Sequence, residues 1–279
     1  MFWQTTRFRI DLTVPKVMGI VNITPDSFSD GGRHGELSLA LRHCEKLLAD
    51  GADILDIGGE STRPGSPPVS IEDELARVLP VVREAMAFGV PISVDTQKTE
   101  VMRAVLDAGA DIVNDIRALR APGALEVVAA HPHCGICLMH MHGEPQTMHQ
   151  APMTGDVVSQ VCDFLAARVA LLVDAGVARD RITLDPGIGF GKTVEQNFAL
   201  LARQQDAAPH GYPILAGWSR KSSLGSVTGL PVTDRMVPSV VAAVLAVRQG
   251  ARVVRVHDVM ETVAALKVSA AMQKQMTAL

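Results

Sequence analysis

Acidic, amide and basic side chains end several short apolar segments of this chain. Three similar segments, GADILDI, GADIVNDI and GARVVRV, place a polar residue five positions after the first glycine: Asp56, Asn114 and Arg255. Other apolar segments end in further polar residues: Asn22, Asp95, His140, Asp185, Ser219 and His257. Such groups are costly to bury together unless a polar ligand completes them, so the pattern predicts a functional site.

The stretch LDPGIGFGKT looks like a nucleotide-phosphate loop but fits neither common pattern. The P-loop pattern needs a glycine where Pro186 stands, and the Rossmann pattern needs a third glycine where Lys192 stands. We therefore interpret the stretch as the connection after a strand that ends at Asp185. Its glycines allow tight turns, and Phe190 can present its ring to a ligand.

Three other connections carry residues that could bind a ligand. The segments 22–36 and 58–70 are rich in Gly, Pro and Ser and are longer than most strand–helix loops, which predicts two mobile lids. Arg63 in the second lid could clamp an anion. In GWSRKSS, Lys221 could be a Schiff-base nucleophile, a charge donor to a ligand or a surface residue.

A repeated unit of helix, glycine stop and buried strand positions these residues. Each of the three similar segments follows apolar residues at helical spacing, and its glycine is the residue preferred after a helix end. Eight apolar segments are predicted as strands: 17–21, 54–57, 92–94, 112–113, 135–139, 182–184, 214–216 and 253–256. Eight strand–helix units in this length predict an α/β protein with a single (β/α)8 TIM barrel. An open doubly wound sheet is the weaker alternative.

The predicted barrel explains where the polar residues converge. Sites in such barrels lie at the carboxyl ends of the strands, which is where these residues stand. Asp56, Asn114, Asp185 and Arg255 come from alternate strands, and alternate strands share one layer of the barrel interior. Asp56 is expected to be the structural member of the layer, paired with Arg255.

Composition limits the partners and the number of domains. The 279 residues show no linker, so we predict a barrel domain over 15–279 after an extension, 1–14, that forms a short hairpin capping the barrel. A net charge of −4 without a basic block argues against a nucleic-acid partner. No segment is long and apolar enough for a signal peptide or a membrane span, which predicts a cytoplasmic protein without a membrane partner.

Two of the four cysteines form a CxxC pair within HPHCGICLMHMH. A zinc ribbon would need a second CxxC or a spaced histidine pair, and neither follows. On a strand, residues three apart point to opposite faces. We therefore interpret Cys134 and Cys137 as packing residues that do not share a metal.

Eight ordered motifs resemble those of the bacterial dihydropteroate synthase family: MGIVNITPDSFSDGG, DIGGESTRPG, SVDT, IVNDI, LMHMHGEPQTM, LDPGIGFGKT, GWSRKS and VRVHD. The resemblance runs from about Lys16 to the last helix. It implies a pterin-binding transferase of folate biosynthesis and a sulfonamide target. The implied reaction condenses p-aminobenzoate with (7,8-dihydropterin-6-yl)methyl diphosphate, releasing pyrophosphate and forming dihydropteroate.

The resemblance implies a pterin slot. Asp185, supported by Asn114, would accept the N–H groups of the amino-pyrimidine edge. Asp95 would lie on the pyrazine side and favour a pterin-stabilised cation, and Lys221 would lie at the pterin carbonyl. The implied walls of the slot are Ile116, Met139 and Gly217.

The resemblance also implies an anion site, a metal and a second pocket. Arg63, Arg255 and His257 would neutralise the departing pyrophosphate, with Val256 among the binding residues. Mg²⁺ would be reached through the amide oxygen of Asn22. The implied aminobenzoate pocket contains Thr62, Arg63, Phe190, Lys221 and Ser222. The implied catalytic residues are Asp95, Arg63, Lys221, Arg255 and His257.

The implied partners are the two small substrates and a second copy of the chain, with the apolar helix 237–247 as a candidate dimer contact. A pterin-binding barrel of the corrinoid methyltransferase kind is one alternative, and it would release no pyrophosphate. A Schiff-base aldolase that uses Lys221 is another, and borohydride would trap it. A pure binding module would show no turnover.

Overall fold

The chain folds into a closed barrel of parallel strands. The computed structural model describes residues 1–23, 32–61, 66–144, 147–148 and 150–276. Two short antiparallel strands come first, β1 (Phe2–Gln4) and β2 (Arg9–Asp11). Eight parallel strands follow and pair in chain order, with the last closing on the first. They are β3 (Lys16–Asn22), β4 (Ile54–Gly58), β5 (Ile92–Asp95), β6 (Ile112–Asp115), β7 (Gly135–Met139), β8 (Ile182–Asp185), β9 (Ile214–Ala216) and β10 (Ala251–Val256).

This arrangement confirms the predicted (β/α)8 barrel, and the alternative of an open doubly wound sheet is wrong. All eight predicted strands are present, and several extend one or two residues further than predicted. The extension places Asn22, Asp95 and Asp185 on the last residue of their strands. These polar groups therefore lie on strands of the barrel, which hold them in place more rigidly than loops would.

Helices connect the strands and surround the barrel. Those in the described part of the chain are α1 (Gly32–Ala49), α2 (Ile71–Ala85), α3 (Thr99–Asp107), α4 (Ala124–Ala130), α5 (Val157–Asp174), α6 (Val194–Ala202), α7 (Ser222–Thr228), α8 (Met236–Arg248) and α9 (Val259–Met276). The glycines after α1, α3 and α8 have φ of +102°, +99° and +96°: Gly51, Gly109 and Gly250. This is the left-handed region that L side chains rarely adopt, so the predicted glycine stops are confirmed.

The start of α6 is set by a capping box directly after the glycine-rich connection. The Thr193 hydroxyl accepts from the Gln196 backbone N–H at 3.2 Å, and the Gln196 side chain accepts from the Thr193 N–H at 2.9 Å. The pair satisfies two N–H groups that a helix start leaves without partners. It therefore fixes where the loop after β8 ends.

The N-terminal hairpin packs on the amino-terminal ends of the barrel strands. Trp3 is fully buried, and its indole N–H donates to the Arg181 carbonyl at 3.0 Å. The hairpin contributes Trp3, Ile10 and Leu12 to a cluster with residues of six barrel strands: Met18, Ile54, Ile112, Cys137, Leu215 and Val253. The predicted hairpin is present, whereas the division into 1–14 and 15–279 as separate units stays a prediction.

The two cysteines of the CxxC pair point in opposite directions, as predicted: Cys134 directly precedes β7, and Cys137 lies on it. Cys134 belongs to the apolar cluster between the barrel and its helices, and Cys137 belongs to the cluster inside the barrel. Burial raises the pKa of both thiols. Across the described ranges, no helix combines the length and apolar character needed to cross a bilayer.

Candidate active site

Four charged or amide side chains meet at the carboxyl end of the barrel. Arg255 donates through Nε to Asp56 Oδ2 at 2.5 Å and through a terminal nitrogen to Asp95 Oδ2 at 2.7 Å. Asn114 Nδ2 donates to Asp56 Oδ2 at 3.3 Å. The residues come from β4, β5, β6 and β10, and the pairing of Asp56 with Arg255 is the predicted one. Asp95 joins the layer through Arg255.

The electrostatics of this layer depend on burial and on close charges. Burial raises the pKa of Asp95 to about 7. The positive charge of Arg255 opposes this shift, and the negative charge of Asp56 adds to it. Burial opposes the charged form of Arg255, but Asp56 and Asp95 outweigh it and raise the pKa of the guanidinium. Asp56 Oδ1 is buried and accepts no hydrogen bond from the described residues. A buried acceptor of this kind points to a donor from outside the described residues, such as a ligand or another part of the chain.

Asp185 is a third carboxylate at the barrel mouth. Its side chain is buried, and Oδ1 accepts from the Gly187 backbone N–H at 2.7 Å. Burial raises the pKa of Asp185, and Lys221 lowers it. A Cβ on Gly217 would stand 3.9 Å from Asp185 Oδ2. Glycine at position 217 therefore leaves room for a ligand beside this oxygen.

A cluster of buried apolar side chains lies next to Asp185, because Met139 of this cluster pairs with Asp185 across β7 and β8. The structure brings together three predicted slot or pocket residues and two methionines that the sequence reasoning missed: Ile116, Met139, Phe190, Met141 and Met148. The spacing of Met139 and Met141 could have indicated a shared face, because residues two apart at a strand end point the same way. The Lys221 ammonium stands 4.1 Å from the centroid of the Phe190 ring. Burial lowers the pKa of Lys221 to about 8, although Asp185 raises it.

A strained turn presents Lys221 to the site. Arg220 has φ of +59°, which is rare for a residue with a side chain and marks a conformation that the surroundings must impose. Its guanidinium donates to Asp258 at 2.6 and 3.2 Å, and its backbone N–H donates to the Ser239 hydroxyl at 2.8 Å. Lys221 follows as the N-cap of α7, and Ser222 begins that helix.

His257 is held by the same turn. Its Nδ1 lies 2.9 Å from the Ser219 hydroxyl, and its backbone N–H donates to that hydroxyl at 3.1 Å. Val256, by contrast, directs its side chain into the cluster between the barrel and the helices. Its place among the substrate-binding residues stays a prediction.

Lys192, the lysine of LDPGIGFGKT, is buried and forms hydrogen bonds within the loop after β8. It is 4% exposed, and its Nζ lies 2.8 Å from the Gly187 carbonyl, 3.1 Å from the Phe190 carbonyl and 2.9 Å from His140 Nδ1. Burial lowers the pKa of Lys192 to about 7. Burial and the neighbouring Lys192 lower the pKa of His140 to about 2. The Lys192 nitrogen therefore hydrogen-bonds to its own loop and to the neutral imidazole, where the lysine of a P-loop would bind phosphate.

The loop after β4 is anchored near its base by a cluster that the sequence reasoning missed. Glu60 accepts from the Val69 backbone N–H at 2.9 Å and from Lys98 Nζ at 2.9 Å, and Lys98 also pairs with Glu74. The residues of this lid predicted to bind ligands, Thr62 and Arg63, lie outside the described residues, as does most of the first lid. Asn22, at the end of β3, is half-buried.

Comparison with known proteins places this geometry in a family. Residues 18–257 match the model of the pterin-binding enzymes. Dihydropteroate synthase of Neisseria meningitidis serogroup C is 52% identical over 269 residues, with 95% of each chain covered. The structure resembles that of Burkholderia cenocepacia dihydropteroate synthase complexed with 7,8-dihydropteroate, with a TM-score of 0.92, 51% identity and coverage of 100% and 98% of the two chains.

A third relative is Xanthomonas albilineans dihydropteroate synthase with 4-aminobenzoic acid. It has a TM-score of 0.91 and 46% identity, and 98% of this chain and 99% of that chain are covered. Family, relatives and solved structures agree over nearly the whole length. The chain therefore belongs to the pterin-binding enzyme family and, within it, to the dihydropteroate synthases.

Proposed function

We propose that the polar layer and the apolar slot carry the dihydropteroate synthase reaction in this chain. The amine of p-aminobenzoate attacks the methylene carbon of the dihydropterin methyl diphosphate. The C–O bond breaks with its electron pair going to pyrophosphate, the amine loses a proton, and dihydropteroate forms. The observation that carries the proposal is the convergence of Asp185, Lys221 and Arg255 beside the slot of Ile116, Met139 and Phe190.

The pterin would bind with its polar edge on Asp185. Each carboxylate oxygen has two lone-pair sites, so the bond from Gly187 leaves acceptor capacity for two pterin N–H groups. Asn114 would support this edge, and Lys221 would donate to the pterin carbonyl. Gly217 supports this placement because a larger residue would cover Asp185 Oδ2.

Departure of pyrophosphate would be driven by cations at the end of β10. An arylamine is a weak nucleophile, so stabilisation of the leaving group must provide much of the rate enhancement. The two ion pairs of Arg255 use two of the five N–H groups of a guanidinium, which leaves donors for phosphate oxygens. His257 would add a further donor, and Asp95 would favour the positive charge that develops on the pterin. Arg63, Thr62 and Ser222 would complete the sites for the anion and the aminobenzoate.

Magnesium is the cofactor that the resemblance implies. The described ranges contain no group of three or more His, Cys, Asp or Glu side chains that could hold a metal ion. Mg²⁺ often takes one or two protein ligands and completes its shell with substrate phosphates and water. The single hard oxygen of Asn22 at the end of β3 fits that pattern. When bound, the ion would supply charge neutralisation on the leaving pyrophosphate.

We further propose a cytoplasmic homodimer. The helix segment 237–247 lies within α8, where Val237, Val241 and Leu245 are exposed and spaced four residues apart. Residues at that spacing share one face of a helix. An exposed apolar stripe of this kind favours a protein contact, and a second copy of the chain is the partner that the resemblance implies.

Turnover with the two substrates tests the proposed function. We expect dihydropteroate and pyrophosphate in equal amounts, with less of both when magnesium is removed. Each product is measured separately, and omission of p-aminobenzoate is the control for diphosphate hydrolysis. Consumption of the pterin without pyrophosphate release would favour the methyltransferase alternative. A borohydride-trapped adduct on Lys221 would favour the aldolase alternative.

The pH dependence of turnover is expected to report on Lys221. Because its pKa is lowered to about 8, the ammonium is present below that pH and is lost above it. We expect kcat/KM to fall as pH rises through this range, because the neutral amine binds the pterin carbonyl and the aminobenzoate carboxylate more weakly. In Lys221→Arg the alkaline limb should move to higher pH, since a guanidinium keeps its charge there. Thermal stability across the same range is the control, and an unmoved limb in Lys221→Arg would contradict the prediction.

A further inference from the structure

Asn197, which has no role in the mechanism above, joins two loops of the site. It lies in the first turn of α6 and is 1% exposed. Its Oδ1 accepts from the Gly189 backbone N–H at 2.8 Å, and its Nδ2 donates to the Ser223 hydroxyl at 2.9 Å. Nδ2 also donates to the Thr193 carbonyl at 2.8 Å. One buried amide thus connects the loop after β8 with the first turn of α7.

The two connected segments carry the residues proposed to contact aminobenzoate. Gly189 directly precedes Phe190, and Ser223 directly follows Lys221 and Ser222. The segments pack closely, because a Cβ on Gly189 would stand 3.1 Å from Lys221 Cδ. The Phe190 ring then lies 4.1 Å from the Lys221 ammonium. The relative position of Phe190 and Lys221 therefore depends on how these two segments are held.

Two of the three proposed pterin contacts do not depend on Asn197. Asp185 and Asn114 stand on strands of the barrel, and Asp185 takes its loop contact from Gly187. Lys192 lies 2.8 Å from the Gly187 carbonyl and 3.1 Å from the Phe190 carbonyl, and both contacts are within the loop after β8. Loss of the Asn197 side chain would therefore release the start of α7 from the loop that carries Phe190, while Asp185 and Asn114 keep their places on the strands.

We propose that Asn197 is a positioning residue for aminobenzoate binding, acting by locking the loop of Phe190 to the helix start of Lys221 and Ser222. The inference rests on the proposed function of these three residues. A pocket built from two separate segments binds tightly only when both are held in register, and small displacements carry a large cost. Asn197 supplies both a donor and an acceptor, so a single side chain fixes both segments.

Steady-state kinetics of Asn197→Leu test the proposal. Leucine has a similar shape but no hydrogen bonds, and we expect the KM for p-aminobenzoate to rise about tenfold, as for the loss of one to two buried hydrogen bonds. The KM for the pterin diphosphate should rise much less, because Asp185 and Asn114 keep their positions and only the contact from Lys221 is disturbed. The matched control is Gln204→Met. Gln204 is also a buried amide, and it donates to the carbonyls of Ala246 and Gln249 at 2.9 and 3.2 Å, away from the site. Both KM values should be unchanged in this control at a similar loss of thermal stability.

Rescue by a conservative variant separates positioning from general destabilisation. In Asn197→Asp one oxygen can still accept from Gly189 and the other from the Ser223 hydroxyl, but that oxygen also faces the Thr193 carbonyl. The KM for p-aminobenzoate should therefore lie between the values of wild type and Asn197→Leu. If Asn197→Leu does not fold, Ser223→Ala provides a second test. It removes the hydroxyl that accepts from Asn197 and should raise mainly the KM for p-aminobenzoate. Equal effects on both KM values, no effect on either, or a KM for p-aminobenzoate in Asn197→Asp no lower than in Asn197→Leu would overturn the inference. Absence of turnover in the wild-type enzyme would instead remove the proposed function.

Discussion

Replacing Arg255 with methionine is expected to destabilise the barrel and to abolish most of the activity. The change leaves the carboxylates of Asp56 and Asp95 in a buried layer without their cation. Breaking a buried ion pair from one side costs about 3–5 kcal/mol, because the remaining charge is neither solvated nor paired. Turnover should fall at least about a hundredfold, since the departing pyrophosphate also loses a donor.

Urea denaturation and kinetics of three variants measure these two effects. Arg252→Met is the matched control: Arg252 lies on the same strand, and no described ion pair includes it. It should change neither the free energy of unfolding nor turnover appreciably. Adding Asp56→Asn to Arg255→Met removes one unpaired charge and should recover part of the stability but none of the activity. Equal stability of Arg255→Met and wild type would show that the layer does not depend on this arginine.

Replacing Asp185 with asparagine is expected to weaken pterin binding at least about tenfold while the fold survives. The new amide group places an N–H where the pterin edge needs an acceptor, and an unpaired buried donor costs about 1–3 kcal/mol. The remaining Oδ1 of asparagine can still accept from Gly187, which preserves the loop contact. Calorimetric titration with the pterin measures the affinity, and the unfolding midpoint checks the fold.

Asp180→Asn is the matched control for this change. Asp180 is an exposed acid five residues earlier, in the 3-10 segment Arg179–Arg181. Its replacement removes the same net charge without touching the site, so the pterin affinity should equal that of wild type. An Asp185→Asn variant with wild-type affinity would place the pterin slot elsewhere in the barrel.

The order of elements could be predicted from the sequence because it depends on local patterns. One pattern recurs along the chain: apolar residues at helical spacing, a glycine that adopts positive φ and a short aliphatic strand. Each part of this pattern can be recognised within about ten residues. The five-residue offset of Asp56, Asn114 and Arg255 from their glycines then predicted a shared layer, because parallel strands in register bring equivalent positions together. The pairing of Asp56 with Arg255 followed from the same argument.

The contacts between loops could not be predicted in this way. In the sequence Lys192 stands out only as a mismatch to the Rossmann pattern, and nothing nearby indicates that its side-chain nitrogen lies against His140, 52 residues earlier. Arg255 reaches Asp95 across 160 residues, and the Ser219–His257 contact spans 38. Such contacts depend on how neighbouring loops leave the barrel, which no short-range pattern encodes.

The sequence by itself therefore determined the barrel, the strand ends that carry the polar groups and the family to which the chain belongs. The tertiary structure alone decided how those groups are held: Arg255 between two carboxylates, Lys221 presented by the strained turn at Arg220, and Asn197 between two loops. The physical reason is that secondary structure follows from the conformational preferences of neighbouring residues. The position of a buried charge or amide is set by the partners that satisfy it, and those partners come from distant parts of the chain.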